Sequence, residues 1–128
     1  EFSAFPPHCI RGTSESEIVD EIKTVGGYEL IEKNSTNGFH EEKLRRLIDG
    51  HEKVSTFIVV GDCTDICVMQ LCLSLKTYYT AADRKCRIVI PADCTETYDS
   101  PLHSADFANI AAYKLMSDSG IEFVSTIK

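Results

Sequence analysis

Four stretches of the chain repeat apolar residues at helical spacing. Residues 15–23 carry Ile18, Val19 and Ile22 on one face and stop at Gly26-Gly27. Residues 41–49 carry Leu44, Leu47 and Ile48 and stop at Gly50. Residues 67–82 bring Val68, Leu71, Cys72, Leu75 and Tyr79 to one side. Ser104 is a predicted cap for a helix whose apolar face is Phe107, Ala108, Ala111, Ala112 and Leu115, ending near Gly120. Short apolar runs alternate with these helices, at residues 28–32, 56–60, 87–90 and 121–124, and the run at 56–60 is the strongest. Runs apolar on both faces and separated by helices predict parallel strands covered by helices on both sides. The expected fold is therefore α/β, a Rossmann-like layered sheet with right-handed crossovers.

With 128 residues, the chain is expected to form one domain over 1–128. Hydrophobic residues make up 43% and charged residues 26%, enough apolar surface for a core and too much for disorder. A formal net charge of −7 disfavours nucleic acid or an anionic membrane as the main partner. No apolar run approaches the ~20 residues that cross a bilayer. The first ten residues lack the basic and apolar parts of a signal peptide. The six cysteines contain no Cys-x-x-Cys pair and sit inside apolar segments, which predicts free thiols in a reducing, cytoplasmic setting rather than disulfides or a structural zinc site.

In an open α/β sheet, ligands bind beyond the carboxyl ends of the strands, so the residues that follow each run hold the candidate chemistry. After 56–60 comes Gly61-Asp62-Cys63-Thr64-Asp65-Ile66-Cys67. Gly61 ends the strand, Thr64 and Asp65 can cap, and Cys67 falls in the first turn of the next helix. The helix dipole there favours a thiolate, the nucleophilic form. By position alone, Cys67 reads equally as a nucleophile or as one more buried cysteine, whereas Cys72, Cys86 and Cys94 read as core. Lys33 follows the 28–32 run. It reads as a cation facing the crevice, able to support a thiolate and a developing oxyanion, or as a solvated lysine. Asp93 follows 87–90 and suits a structural role. His8 lies on the stiff Pro6-Pro7 segment, but one histidine is not a metal site. His40 and His51 lie in polar segments and read as solvated. His103 precedes a helix, where it can cap or contact a ligand.

Three ordered motifs now coincide. The run 61–68, with its Thr-Asp-x-Cys-Val centre, resembles the nucleophile segment of the isochorismatase-like cysteine hydrolases. Residues 5–13, with Pro-Pro-His-Cys and Gly-Thr, are similar to the nicotinamidase branch of that family. Lys33 with residues 34–39 looks like its catalytic lysine segment, and Pro91-Ala92-Asp93 and His103 fit the pattern after the next strand. The resemblance implies a hydrolase of small primary amides, nicotinamide above all. Cys67 would attack the amide carbonyl and form a thioester, with Lys33 beside it. Backbone amides of Cys63 and Cys67 would form the oxyanion hole, and a non-proline cis peptide would join Asp62 to Cys63. His8 would be one ligand of a divalent metal, zinc, iron or manganese. A homo-oligomer is a possible partner arrangement.

The chain departs from the family in one respect. The strand ending in the catalytic aspartate, and the next with its Asp-x-His metal ligands, do not precede Phe5. The expectation is that these residues match the C-terminal two-thirds of the family domain. In the order 3-2-1-4-5-6, the N-terminal strands missing here would separate the 28–32 strand from the 56–60 strand. A complementing N-terminal segment is then a second expected partner. Three other readings stand beside the nicotinamidase one: a cysteine amidase for another small amide, a catalytically incomplete α/β binding domain, and a redox role for Cys63 and Cys67.

Overall fold

A computed structural model describes residues 5–127. The chain divides into two compact units that meet in sequence between Glu32 and Lys33.

In the first unit, the expected helix over 15–23 is broken. A single 3-10 turn covers Ser14–Ser16, Glu17 is extended, and the helix proper, α1, spans Asp20–Val25. The cause is turn chemistry. The Thr13 hydroxyl donates to the Ile10 carbonyl at 2.6 Å and the Ser16 hydroxyl to the Thr13 carbonyl at 2.8 Å, local bonds that compete with a helical ladder. α1 then starts on Asp20 and Glu21 and ends on Lys23, charges that match its dipole, before Gly26 at φ 64°. The strand expected over 28–32 is also absent: no ladder joins those residues to any strand among the described residues. A strand exists only through its partner, and apolar alternation alone does not supply one. Arg11 and Glu32 pair at 3.0 Å. No described residue of this unit is buried.

The second unit carries the sheet. A 3-10 turn at Gly38–His40 leads into α2, Glu42–Gly50. β1, Thr56–Ile58, is followed by the short β2, Gly61–Asp62, a wide π turn at Thr64–Val68, and α3, Met69–Ala81. β3 is Arg87–Pro91, a 3-10 turn covers Ala92–Cys94, and β4 is Thr95–Glu96. α4, Ala105–Asp118, leads to β5, Glu122–Val124. β1, β3 and β5 pair in that order, all parallel, and β2 pairs in parallel with β4. α3 and α4 are the crossovers, as expected of an α/β fold.

The two ladders belong to the same two chain paths. Thr56 faces Arg87 in the first, and Gly61 faces Thr95 in the second. The partner path has therefore gained three residues, the length of the Ala92–Cys94 turn.

β3 is central, and Ile88 to Pro91 are all buried. Around it pack Cys72, Leu75 and Tyr79 of α3, Ala112 and Met116 of α4, Ile48 of α2, and Val59, Val68 and Ile121. At β1 only one side is covered: Phe57 and Val59 turn inward, while Ile58 is 57% exposed. The buried face of α4 also differs from expectation. It is Ala108, Ala112 and Met116, while Phe107 and Leu115 are exposed. Two alanines at four-residue spacing let the helix approach closely, with Met116 filling the space below them, and the bulkier Phe107 lies off that row.

Candidate active site

The chain leaves β1 with Val59 still donating to the Val89 carbonyl at 3.0 Å. Gly61 then adopts φ 122°. A Cβ at Gly61 would meet no atom within 4 Å, so backbone conformation rather than space calls for glycine there. The Asp62–Cys63 peptide is cis. The Cys63 carbonyl accepts from both Ile66 N and Val68 N at 3.2 Å. The second bond spans five residues and opens the wide turn that holds Cys67, one step before α3. Cys67 thus lies in a π turn rather than the first α-helical turn, and it is half-buried.

Thr64 and Asp65 do not cap the helix, contrary to expectation. The wide turn directs both sideways, toward the segment that follows β3. Thr64, fully buried, bonds hydroxyl to hydroxyl with Thr95 at 2.9 Å. Asp65 Oδ1 accepts from the Thr97 hydroxyl at 2.6 Å, and its Oδ2 lies 2.8 Å from His103 Nε2. The other ring nitrogen of His103 faces the Tyr98 carbonyl at 2.9 Å, and the Tyr98 ring stacks on the imidazole at 4.1 Å. The Asp65 bond raises the His103 pKa above its usual range. Burial pushes the Asp65 carboxyl up, but the Thr97 and His103 bonds outweigh it and hold the group below the usual aspartate range. Ser104 caps α4 as predicted, accepting from Phe107 N.

Lys33 reaches Cys67 without the expected strand behind it. Its Nζ donates to Cys67 Sγ at 3.6 Å and to the Ser35 carbonyl at 3.1 Å. The anchor is the segment that follows. The Thr36 hydroxyl donates to Gln70 at 2.9 Å, and Asn37 Nδ2 donates to the Ser74 hydroxyl at 3.0 Å, both on α3. Asn37 Oδ1 also accepts from Phe39 N at 3.1 Å, closing the Gly38–His40 turn. In the sequence, Thr36 and Asn37 stood out only as part of the 34–39 segment, with no role of their own. Their sole signal was a cluster of small polar residues directly after the lysine.

Three of the other thiols are poor nucleophiles. Burial pushes Cys72 up to about 12 and also raises Cys86, while a hydrogen bond to Asp93 raises Cys94. All six cysteines are free thiols. Asp93 sits exposed in the Ala92–Cys94 turn, accepting from Cys94 at 3.4 Å, a local structural role. Asp65, two residues from the Cys67 thiol, has both oxygens engaged and is not free to act on it. His8 Nδ1 bonds the Pro6 carbonyl at 2.8 Å. Among the described residues, no group of three His, Cys, Asp or Glu side chains could hold a metal ion, so the residues present do not fit the metal expected at His8. No helix among them is long and apolar enough to cross a membrane.

A model of the isochorismatase domain matches residues 1–122. Nicotinamidase 1 of Arabidopsis thaliana is 33% identical over 113 residues, which is 79% of this chain and 46% of that protein. The chain therefore spans about half the length of this curated relative. Among solved structures, N-carbamoylsarcosine amidase from Thermoplasma acidophilum superposes with a TM-score of 0.74 at 20% identity, over 96% of this chain and 62% of that one. A nicotinamidase from Staphylococcus aureus gives 0.72 at 20% identity, over 98% of this chain and 80% of that one. At these identities the superpositions speak for the fold alone.

Proposed function

The chain belongs to the isochorismatase domain family, and from that premise we propose that it carries the nucleophile half of a cysteine amidase site whose substrate is a small primary amide, nicotinamide first. The observation that carries the reading is the Lys33 ammonium 3.6 Å from the Cys67 sulfur, at the carboxyl end of the sheet. A fixed cation there attracts a thiolate and, as the reaction proceeds, an oxyanion.

Cys67 Sγ attacks the amide carbonyl carbon, and the C=O electron pair moves to oxygen. The backbone amides of Cys63 and Cys67 receive that oxyanion. The proton that the Cys67 thiol gives up on attack passes to the amide nitrogen, and collapse then breaks the C–N bond, releases ammonia and leaves a thioester on Cys67. Water then attacks the thioester, giving the carboxylic acid and the free thiol. Lys33 stays charged throughout and holds the sulfur electrostatically. No step is routed through a metal, because the described residues do not gather one. Resemblance to Nicotinamidase 1 of Arabidopsis thaliana supports nicotinamide as the first substrate to try. Six unpaired thiols suit a reducing compartment, and we infer a cytoplasmic enzyme.

A second reading is a binding domain that does not complete the reaction. One observation favours it: the nearest carboxylate in sequence, Asp65, is already bound on both oxygens, which leaves proton transfer at Cys67 without an evident base. Ammonia release from nicotinamide separates the readings. Turnover is expected with the native sequence and not with Cys67→Ala, whose circular dichroism should match. Turnover retained by Cys67→Ala overturns the nucleophile assignment. No ammonia released and no acyl adduct on Cys67 by mass spectrometry favours the second reading.

A further inference from the structure

The Asp65–His103 pair is not explained by the chemistry above, and its geometry demands a particular protonation state. Both ring nitrogens of His103 face oxygens that can only accept: Asp65 Oδ2 at 2.8 Å and the Tyr98 carbonyl at 2.9 Å. A neutral imidazole carries one N–H and can serve one of them, and its bare nitrogen then opposes a lone pair. The imidazolium serves both. The pair is also well shielded, with side-chain exposures of 21% for His103 and 17% for Asp65.

We propose that His103 is a positioning residue: as an imidazolium bridging Asp65 and the Tyr98 carbonyl, it fixes the turn that presents Cys67, and the turn loosens when the ring gives up its proton. The inference rests on the Cys67 reading only for its catalytic consequence. Asp65 lies inside the Thr64–Val68 turn, and His103 lies directly before α4, so the bond ties the turn to another crossover. The charged group facing the ring is Asp65, and the titratable ring stacked on it is Tyr98. Of the carboxylates on the same segment, Glu96 is bound to Thr97 N and Asn109, and Asp99 to Ala105 N.

The sign follows from the raised His103 pKa. The bond is complete below the ordinary histidine value of 6.5 and persists above it. It is lost as pH rises through the raised folded value. At the acid end it is lost as pH falls through the lowered value of Asp65, below its ordinary 3.8.

The test joins two measurements on the whole chain. Long-range nitrogen–proton NMR should find both His103 ring nitrogens protonated at pH 6 and the ring titrating above the ordinary 6.5. Amide exchange over residues 63–68, taken relative to the intrinsic base-catalysed rate at each pH, should accelerate about tenfold or more across that titration. In His103→Gln exchange should be fast at every pH, and Asp65→Glu should restore more protection than Asp65→Asn. Nicotinamide turnover should show an alkaline fall in kcat that His103→Gln lacks, with KM little changed. A ring that titrates at or below 6.5 overturns the proposal, as does exchange over 63–68 that His103→Gln leaves unchanged. If the amidase reading is wrong, turnover is absent in every variant while the ring and exchange measurements still decide the positioning role.

Discussion

Thr64 and Thr95 offer a sharp test of how the turn is held. Thr64 is fully buried, Thr95 is 8% exposed, and their hydroxyl oxygens lie 2.9 Å apart. Thr95→Val preserves shape and removes one oxygen, which leaves the Thr64 hydroxyl without its partner and out of reach of water. An orphaned buried hydroxyl costs about 1–3 kcal/mol, and Thr64→Val should cost about the same by orphaning the Thr95 hydroxyl instead. With both replaced, no polar group is stranded and only the net worth of one hydrogen bond is lost, about 1 kcal/mol. The double variant should therefore be more stable than the two single losses added together, by about 1 kcal/mol or more. Urea unfolding followed by circular dichroism resolves this. Each kcal/mol moves the midpoint by roughly 0.3–1 M for slopes of about 1–3 kcal/mol/M. Losses that add within about 0.5 kcal/mol mean that the two hydroxyls act independently and that the bond does not hold the turn.

Met116, fully buried between α4 and the sheet, should lose about 2–5 kcal/mol on truncation to alanine, read by the same unfolding curve. A loss below about 1 kcal/mol contradicts the burial of α4 along Ala108, Ala112 and Met116. Lys33→Met should slow iodoacetamide alkylation of Cys67 about tenfold, the effect of a nearby charge worth roughly 1.4 kcal/mol at a partly exposed site. Cys94 in the same digest is the internal reference, and equal slowing at both thiols removes the special role of Lys33.

The alternation of helix and apolar run was legible because period 3.6 and period 2 are backbone geometry, and α2, α3, α4, β1, β3 and β5 follow it. The position of Cys67 beyond the end of a strand was legible for a related reason: sheets of this kind bind ligands where strands end. The 28–32 run fails because alternation marks a residue fit to be a strand, while pairing depends on a neighbour remote in sequence. The face of α4 fails because several apolar residues surround it, and close packing selects the alanine row over the larger Phe107. The partners of Asp65 were invisible for a third reason. Thr97 and His103 lie 32 and 38 residues away, and no local pattern encodes a bond across that distance. Asp65 and His103 each read locally as helix-end residues, yet neither caps a helix, and their side chains bond to one another instead.

Surface turns usually tolerate changes of length, because closing a slightly longer loop costs little. The Ala92–Cys94 turn is exposed, yet it sets the phase between two chain paths. Without its three residues, the first ladder's register would bring Ala92 rather than Thr95 opposite Gly61. Thr95, Thr97 and His103, which bond Thr64 and Asp65, all lie downstream of it, so one inserted or deleted residue would shift these three partners of the turn together. Among proteins descended from a common ancestor with this one, the length of that turn should drift less than its amino-acid identity. An indel there would act on the turn that holds Cys67 as surely as a substitution beside it.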